Sequence, residues 1–209
     1  MRNRIAAFAL VLALASMPAG PLAAAEAVAT FAGGCFWCME PPYDKLEGVK
    51  STVSGFMGGH VKDPSYQQVV RGGTGHAEVV QVTYDPEVVS YETLLAVYWR
   101  NVDPFDGAGQ FCDRGASYRP EIFWHTAAQR EAAAASKSDL QERLDKDIAV
   151  AVTEAGAFYP AEDYHQDYYE KNPVRYKFYR WNCGRDQRLE EVWGEEAGGA
   201  GQAATPPSR

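Results

Sequence analysis

The most informative stretch of this chain is residues 33–40, Gly-Gly-Cys-Phe-Trp-Cys-Met-Glu. The two glycines permit a tight turn, and Cys35 follows that turn directly. A thiol becomes nucleophilic when a helix N-terminus or a nearby cation lowers its pKa, so a turn that leads into a helix suits a reactive cysteine. Phe36 and Trp37 place two large rings beside it. The stretch therefore predicts a reactive thiol next to an apolar pocket, although free cysteines are also commonly buried as small hydrophobic residues.

Regular structure is predicted on both sides of this stretch from hydrophobic periodicity. Pro41 and Pro42 favour a helix that begins near Glu40, with Cys35 on the turn that leads in, because proline clashes beyond the first helical turn. Residues 103–120 show little periodicity and are predicted to form a functional loop. Strands are predicted at residues 27–32, 51–56, 77–84, 121–125 and 148–154, and further helices at 64–71, 91–100, 126–144 and 161–171.

Strands and helices alternate here without the regular count of a doubly wound sheet. The predicted fold class is therefore α+β, a mixed β-sheet flanked by helices. Residues 26–194 are predicted to form one domain, and residues 195–209, rich in Gly, Ala and Pro, a flexible tail.

The N-terminal residues have the composition of an export signal. Arg2 and Arg4 precede an apolar run at 5–15 and small residues at 23–25, which predicts a signal peptide over residues 1–25 and a periplasmic or secreted protein. The run is too short to cross about 30 Å of hydrocarbon easily, so no membrane span is expected. With Arg2 and Arg4 removed, the net charge goes from −8 to −10, which argues against a nucleic-acid partner.

Three later segments carry further polar motifs: Thr-Gly-His-Ala-Glu at 74–78, Asp-Arg-Gly-Ala-Ser-Tyr-Arg at 113–119, and Ala-Glu-Asp-Tyr-His-Gln at 161–166. Together with Gly-Cys-Phe-Trp at 34–37, they stand in the order seen in the A-type peptide methionine sulfoxide reductases, which the chain resembles from about residue 31 to residue 193. The resemblance implies a two-layer sandwich with a ferredoxin-like core. It also implies the reduction of methionine-S-sulfoxide in proteins, and of free methionine sulfoxide, by thiol chemistry without a bound cofactor.

The reaction needs a soft nucleophile for the sulfoxide sulfur and an acid that protonates the departing oxygen. Cys35 is predicted to be the nucleophile. Glu78 matches the acid of the family, which burial in an apolar site would keep protonated. Tyr66 and Tyr118 match the phenols that hydrogen-bond the sulfoxide oxygen, and Asp113 matches the acid that holds this network.

Other motif residues have supporting roles. Phe36 and Trp37 match the apolar wall that receives the methyl group of the sulfoxide. Glu40 is the rival carboxylate, but its place near a helix start indicates a solvated side chain favoured by the helix dipole. His76 and His165 are predicted to form hydrogen bonds near the site. Where many members have Gly-Tyr-Thr-Gly-Gly, residues 55–59 are Gly-Phe-Met-Gly-Gly, so a phenol at position 56 is lost.

Attack by the nucleophile leaves a sulfenic acid, with which a second thiol must condense. Cys183 is favoured as this resolving thiol, because relatives keep theirs in the C-terminal region. Cys38 is the alternative, since Cys-x-x-Cys is itself a redox spacing. Cys112 is interpreted mainly as pocket lining. No metal is expected, because Cys112 and Cys183 lie far apart in the sequence without the second ligand pair that structural zinc needs.

The resemblance implies oxidised proteins and methionine sulfoxide as substrates, a thioredoxin-like reductant, and a monomer. Two other functions stay open on the residues alone. One is an exported dithiol-disulfide oxidoreductase that uses Cys35 and Cys38. The other is a secreted acidic binding module with two structural disulfides. The first leaves Glu78 and Asp113 unexplained, and the second also leaves the aromatic pair beside Cys35 unexplained.

Overall fold

A computed structural model describes residues 25–199 of the chain. The predicted signal peptide up to residue 24, and residues 200–209 of the predicted tail, lie outside the described residues. The strands are β1 (Ala27–Gly33), β2 (Val49–Met57), β3 (Ala77–Tyr84), β4 (Gly109–Gln110), β5 (Asp113–Arg114), β6 (Pro120–Trp124), β7 (Ala151–Glu154) and β8 (Tyr159–Pro160). The helices are α1 (Phe36–Asp44), α2 (Tyr66–Arg71), α3 (Tyr91–Arg100), α4 (Ala127–Leu144), α5 (Tyr168–Lys171), α6 (Pro173–Asn182) and α7 (Arg185–Trp193).

Six strands form one mixed sheet in the order β7-β6-β1-β3-β2-β8, while β4 and β5 form a separate hairpin. The neighbours in the sheet are antiparallel except β6 and β7, which run parallel. Helices α1, α3 and α4 pack against the strands. The predicted fold class, α+β with a mixed sheet flanked by helices, is confirmed.

The central strands β1 and β3 are buried along most of their length. Successive residues of a strand point to opposite faces, so Phe31 and Ala32 of β1 belong to different clusters. The larger cluster joins Phe31, Val80 and Val82 of the sheet to Met39, Tyr43, Leu94 and Leu95 of the helices. The smaller one contains Ala32, Met57, Ala77, Val79 and Phe123. The core thus fixes β1 and β3, whose ends carry the site described below.

Strand β3 and helix α3 have the predicted bounds. The side chain of Ser90 caps α3 by accepting a hydrogen bond from the backbone N–H of Thr93, at 3.2 Å. Such a cap stabilises the helix by about 1 kcal/mol, and the capping serine marks in the sequence where the helix begins. Local signals were sufficient for these two elements.

Helix α1 begins at Phe36, whereas the prediction placed its regular start near Glu40. Pro41 and Pro42 both lie inside the helix, where each removes a hydrogen-bond donor. The helix is buried along nearly its whole length, including Phe36, Met39 and Tyr43. Burial of one such side chain is worth roughly 2 kcal/mol, so packing on the sheet offsets the unfavourable prolines.

The C-terminal part of the chain was predicted wrongly. The single helix expected at 161–171 is only the short α5, and two helices, α6 and α7, follow it. Pro173 does not end the helical region but occupies the first turn of α6, where its missing N–H is harmless. Beyond α7, Gly198 donates to the carbonyl of Arg100 at 2.9 Å, and Glu196 pairs with Arg100 at 2.8 Å. Residues 195–199, assigned from the sequence to a tail, therefore contact the domain.

The predicted loop at 103–120 contains the small β4–β5 hairpin and a 3-10 turn at Ala116–Tyr118. Buried Gln110 anchors it, since its amide group bonds to both the N–H and the carbonyl of Asp103 at 2.8 Å. None of the described helices combines the length and the apolar character that a bilayer span requires.

Candidate active site

Cys35 occupies the N-cap position of α1, at the end of the turn from β1. Gly34 adopts a φ of +83°, and a Cβ atom there would lie 2.6 Å from the Cβ of Gln110. Only glycine fits such a place, because the left-handed conformation and the close approach both exclude a side chain. The turn therefore fixes the thiol at the positive end of a helix dipole, as predicted for residues 33–40.

The thiols of Cys35 and Cys38 are hydrogen-bonded to each other, one helical turn apart. Their side chains are buried, with 7% and 1% exposed. The hydrogen bond from Cys35 lowers the pKa of Cys38 to about 6, and burial raises the pKa of Cys35 well above its ordinary value, helped by the hydrogen bond to Cys38. Near neutral pH the pair therefore holds one proton, with the negative charge on Cys38, and Cys35 becomes a thiolate when its proton passes to Cys38. The raised pKa of Cys35 differs from the lowered pKa that the sequence predicted for a thiol at a helix start.

Glu78 lies on β3, directly against the start of α1. Its Oε2 accepts a hydrogen bond from the backbone N–H of Phe36 at 3.1 Å, and the side chain is only 1% exposed. Burial raises the pKa of Glu78 well above its ordinary value, and this outweighs the hydrogen bond from Phe36, which lowers it. A protonated carboxyl group beside Cys35 is the arrangement expected of a general acid.

Tyr66 and Tyr118 come together from α2 and from the 3-10 turn after β5. Their phenols are hydrogen-bonded to each other. Burial raises the pKa of each, and the charge of Glu78 raises it further. Both phenols therefore stay protonated and face the same small region as Glu78 and Cys35, where they can hydrogen-bond an oxygen atom of a ligand.

Aromatic rings line this region. The ring of Phe36 lies 6.3 Å from that of Tyr66 and 5.1 Å from that of His165. Trp37 stacks on Tyr168 at 3.7 Å, and its indole N–H donates to Nδ1 of His165 at 3.1 Å. His165 thus holds Trp37 in place, which fits its predicted role as a hydrogen-bonding residue near the site.

His76 has a different place from the one predicted. Its Nδ1 accepts from the N–H of Gly59 at 3.1 Å, and its Nε2 lies 2.7 Å from the carbonyl of Val61. These bonds tie the segment after β2 to the start of β3, so His76 holds the scaffold and makes no described hydrogen bond to the site residues.

Glu40 is fully buried, with 0% of its surface exposed, and not solvated as the sequence suggested. Its Oε1 accepts from the hydroxyl of Ser54 at 2.8 Å. Burial raises the pKa of Glu40 to about 7, although the hydrogen bond from Ser54 lowers it. Because α1 begins at Phe36, Glu40 lies beyond the first turn and among the buried residues of the helix, so the dipole argument did not apply.

Asp113 reaches the site through Tyr179, a residue that the sequence analysis missed. The phenol of Tyr179 donates to Oδ2 of Asp113 and also lowers the pKa of the Cys35 thiol. Tyr179 lies on α6, four residues before Cys183. Proline at a first helical position was the available signal for that helix.

Cys112 and Cys183 form a disulfide with their Cα atoms 4.9 Å apart. Cys112 was interpreted as pocket lining, but its side chain is exposed. The two thiol positions, far apart in sequence, meet with Asp113 in a group whose ligand atoms lie within 4.8 Å. The sulfur atoms are bonded to each other here, so a metal would require their reduction first.

Arg185 is a second residue that the sequence analysis missed. This guanidinium is only 1% exposed and donates from Nη2 to the carbonyls of Gly33 at 3.2 Å and Asn101 at 2.7 Å. Its charge also lowers the pKa of Cys38. Arg185, at the start of α7, therefore stabilises the glycine turn by hydrogen bonds, and its charge favours a thiolate in the cysteine pair.

A surface cavity of about 360 Å³ lies beside α1 and α6 and is bordered by Pro42, Tyr176 and Arg180. Neither Cys35 nor Glu78 lines it. We therefore do not assign this cavity to the reaction.

The family model described as peptide methionine sulfoxide reductase matches residues 27–197. The chain belongs to this family. A reductase of Bacillus licheniformis named peptide methionine sulfoxide reductase MsrA is 52% identical over 171 residues, which cover 81% of this chain and 94% of that protein. The enzyme named MsrA 2 from Staphylococcus aureus is 50% identical over 170 residues, covering 80% and 96%.

Solved structures of similar reductases agree. Reduced Mxr1 from Saccharomyces cerevisiae superposes with a TM-score of 0.68 at 34% identity, over 71% of this chain and 87% of that one. Methionine sulfoxide reductase A of Corynebacterium diphtheriae gives 0.65 at 30% identity, over 71% and 76%. The chain is therefore an A-type reductase, an oxidoreductase of the peptide-methionine (S)-S-oxide reductase class.

Proposed function

We propose that this reductase converts methionine-S-sulfoxide in proteins, and free methionine sulfoxide, to methionine. The observation that carries the proposal is the contact of Glu78 with the N–H of Phe36 at 3.1 Å, because it sets a buried acid beside the nucleophile position at one helix start. The thiolate of Cys35 attacks the sulfoxide sulfur while Glu78 protonates the oxygen. The methionine leaves as a thioether, and Cys35 keeps the oxygen as a sulfenic acid.

The remaining site residues position the substrate. Tyr66 and Tyr118 hydrogen-bond the sulfoxide oxygen. Their phenols interact with each other by a hydrogen bond and face Glu78. Phe36 and Trp37 receive the methyl group. Tyr179 links Asp113 to Cys35, so Asp113 acts on the nucleophile through that phenol. The chemistry is complete with side chains alone, and no cofactor is proposed.

Turnover with dithiothreitol tests this activity directly, since a small reductant removes the question of the natural donor. We expect the protein lacking residues 1–25 to reduce the S epimer of a methionine sulfoxide peptide and to leave the R epimer. Each epimer is followed by separation of the sulfoxide and thioether peptides. Equal turnover of both epimers, or of neither, would contradict the proposal.

Dithiol exchange with other proteins was the alternative function. Both sulfur atoms of the Cys35 and Cys38 pair are buried, so a folded substrate protein has no access to them. This favours the reduction of a side chain that enters the pocket.

The sulfenic acid must then be resolved by a second thiol. The sequence favoured Cys183, with Cys38 as the alternative. Cys38 is hydrogen-bonded to Cys35, whereas the sulfur of Cys183 is bonded to Cys112. The contacts therefore support Cys38 for the first condensation, which forms the Cys35–Cys38 disulfide and releases water, and Cys183 for a later exchange.

A single-turnover experiment on fully reduced protein separates the two routes. Cys183→Ser and Cys38→Ser should each reduce one equivalent of sulfoxide, because attack needs only Cys35, the pocket and the acid. A sulfenic acid should be trapped by dimedone in Cys38→Ser and not in Cys183→Ser, where Cys38 closes on Cys35. The opposite labelling pattern would assign direct resolution to Cys183.

We further propose that the protein is exported, that a thioredoxin-like protein is its reductant, and that it acts as a monomer. The basic and apolar residues at 1–25 support export. The N-terminal residue of the mature protein tests that proposal.

A further inference from the structure

The four cysteines differ in how far a protein partner can reach them. Cys35 and Cys38 are 7% and 1% exposed, Cys183 is half-buried, and Cys112 is exposed. Thiol-disulfide exchange requires the attacking sulfur to reach the sulfur that it attacks. The active-site pair is therefore closed to a folded dithiol protein, and Cys112 is the most exposed of the four cysteines.

Cys112 stands at the tip of a firmly anchored hairpin. Gly109 pairs with Arg114 and Gln110 with Asp113, which leaves Phe111 and Cys112 as the two-residue turn. Phe111 has a φ of +56°, the conformation that tight hairpin turns require. Behind it, the guanidinium of Arg185 lies 4.3 Å from the Phe111 ring. The turn thus keeps the Phe111 ring against Arg185 and leaves Cys112 exposed.

The same disulfide is connected to the active site on its inner side. Asp113, next to Cys112, accepts a hydrogen bond from Tyr179, whose phenol lies close enough to the thiol of Cys35 to lower its pKa. The carbonyl of Tyr179 accepts from the N–H of Cys183 at 2.9 Å. One end of the disulfide is therefore exposed, and the other lies one helical turn from a side chain that touches the nucleophile.

We propose that Cys112 is the entry point for electrons, the sulfur at which a thioredoxin-type dithiol protein attacks this reductase. The proposal rests on the proposed function, since it adds the reductive half of that cycle. The docking surface is the β4–β5 hairpin tip at Phe111 and Cys112, and the partner is a protein with an exposed dithiol.

The exchange balances in two stages. In the first stage, a donor thiolate attacks Sγ of Cys112, the Cys112–Cys183 bond breaks, and Cys183 leaves as a thiolate. The second donor thiol then attacks the mixed disulfide between the donor and Cys112, which frees Cys112 and forms the donor disulfide. Cys183 next attacks Cys38 in the Cys35–Cys38 disulfide and expels the Cys35 thiolate. Cys112 closes on Cys183 and releases Cys38, so two electrons have passed from the donor to the active-site pair.

A trapping experiment on the otherwise unaltered mature chain tests this. A thioredoxin whose second cysteine is replaced by serine cannot resolve a mixed disulfide, and it should remain covalently attached to Cys112, as peptide mapping by mass spectrometry would show. Attachment at Cys35, Cys38 or Cys183 would overturn the proposal. So would a Cys112–Cys183 disulfide that intact thioredoxin leaves unreduced, because it would then be a structural bridge.

Turnover gives the second measurement. In Cys112→Ser, turnover supported by thioredoxin should fall by about tenfold or more, while reduction of one equivalent by pre-reduced protein stays unchanged. Ala108→Ser, at an exposed position before the hairpin, is the matched control and should keep both rates. Equal thioredoxin-supported turnover in Cys112→Ser and wild type would overturn the proposal. If the wild-type protein were inactive with dithiothreitol, the proposed function would be contradicted instead. The trapping result does not depend on that activity.

Discussion

Cys35→Ser is expected to abolish sulfoxide reduction and to leave the fold intact. The hydroxyl of serine is not ionised at neutral pH and is a hard nucleophile, so it does not attack the sulfoxide sulfur. Gly34 and the helix start do not depend on the thiol, and the side-chain volume is nearly kept. The measurement is the first-turnover yield of methionine, with near-ultraviolet circular dichroism as the check on the fold.

Cys35→Ala is the companion variant, because it removes any hydrogen bond that a serine would make to Tyr179. Both variants should be equally inactive. Clear methionine formation by either of them, with dithiothreitol present, would show that another residue attacks the sulfoxide.

Glu78→Gln is expected to lower the rate by about 10² or more, the usual contribution of a positioned general acid. The glutamine amide keeps the shape of the side chain, and its oxygen can still accept a hydrogen bond from the N–H of Phe36, but the amide is not acidic enough to donate a proton to the substrate. Because burial raises the pKa of Glu78 well above its ordinary value, the wild-type carboxyl group stays protonated to higher pH than an exposed one, and activity should be lost as the pH rises through that pKa. The variant should lack this alkaline loss, and its residual rate should rise toward acid, where solvent supplies the proton.

Two comparisons make the pH profile decisive. Glu92→Gln changes an exposed carboxylate at the start of α3 and should keep the wild-type profile. Glu40→Gln tests the rival acid, which is buried and has its pKa raised to about 7. A profile that keeps its shape in Glu78→Gln but loses its alkaline limb in Glu40→Gln would transfer the acid role to Glu40.

Elements with complete local signals could be predicted residue by residue. Helix α3 has a capping serine and an apolar face within ten residues, and β3 has its alternation within eight. The end of the chain shows the reverse case. Asn172 and Pro173 are compatible with the end of a helix or with the start of a new one. Only the packing of α6 against α5 and α7 decides between these two structures.

The candidate site divides in the same way. The sequence by itself determined the glycine turn, the thiol that follows it and the carboxyl group of Glu78, because these depend on residues within short motifs. Tertiary structure alone decided the contacts of Tyr179 with Cys35, the burial of Glu40 and the pairing of Cys112 with Cys183, residues separated by 71 positions. Such contacts depend on which helices and loops the sheet brings together. Local propensity does not determine which residues distant in the sequence meet in the fold.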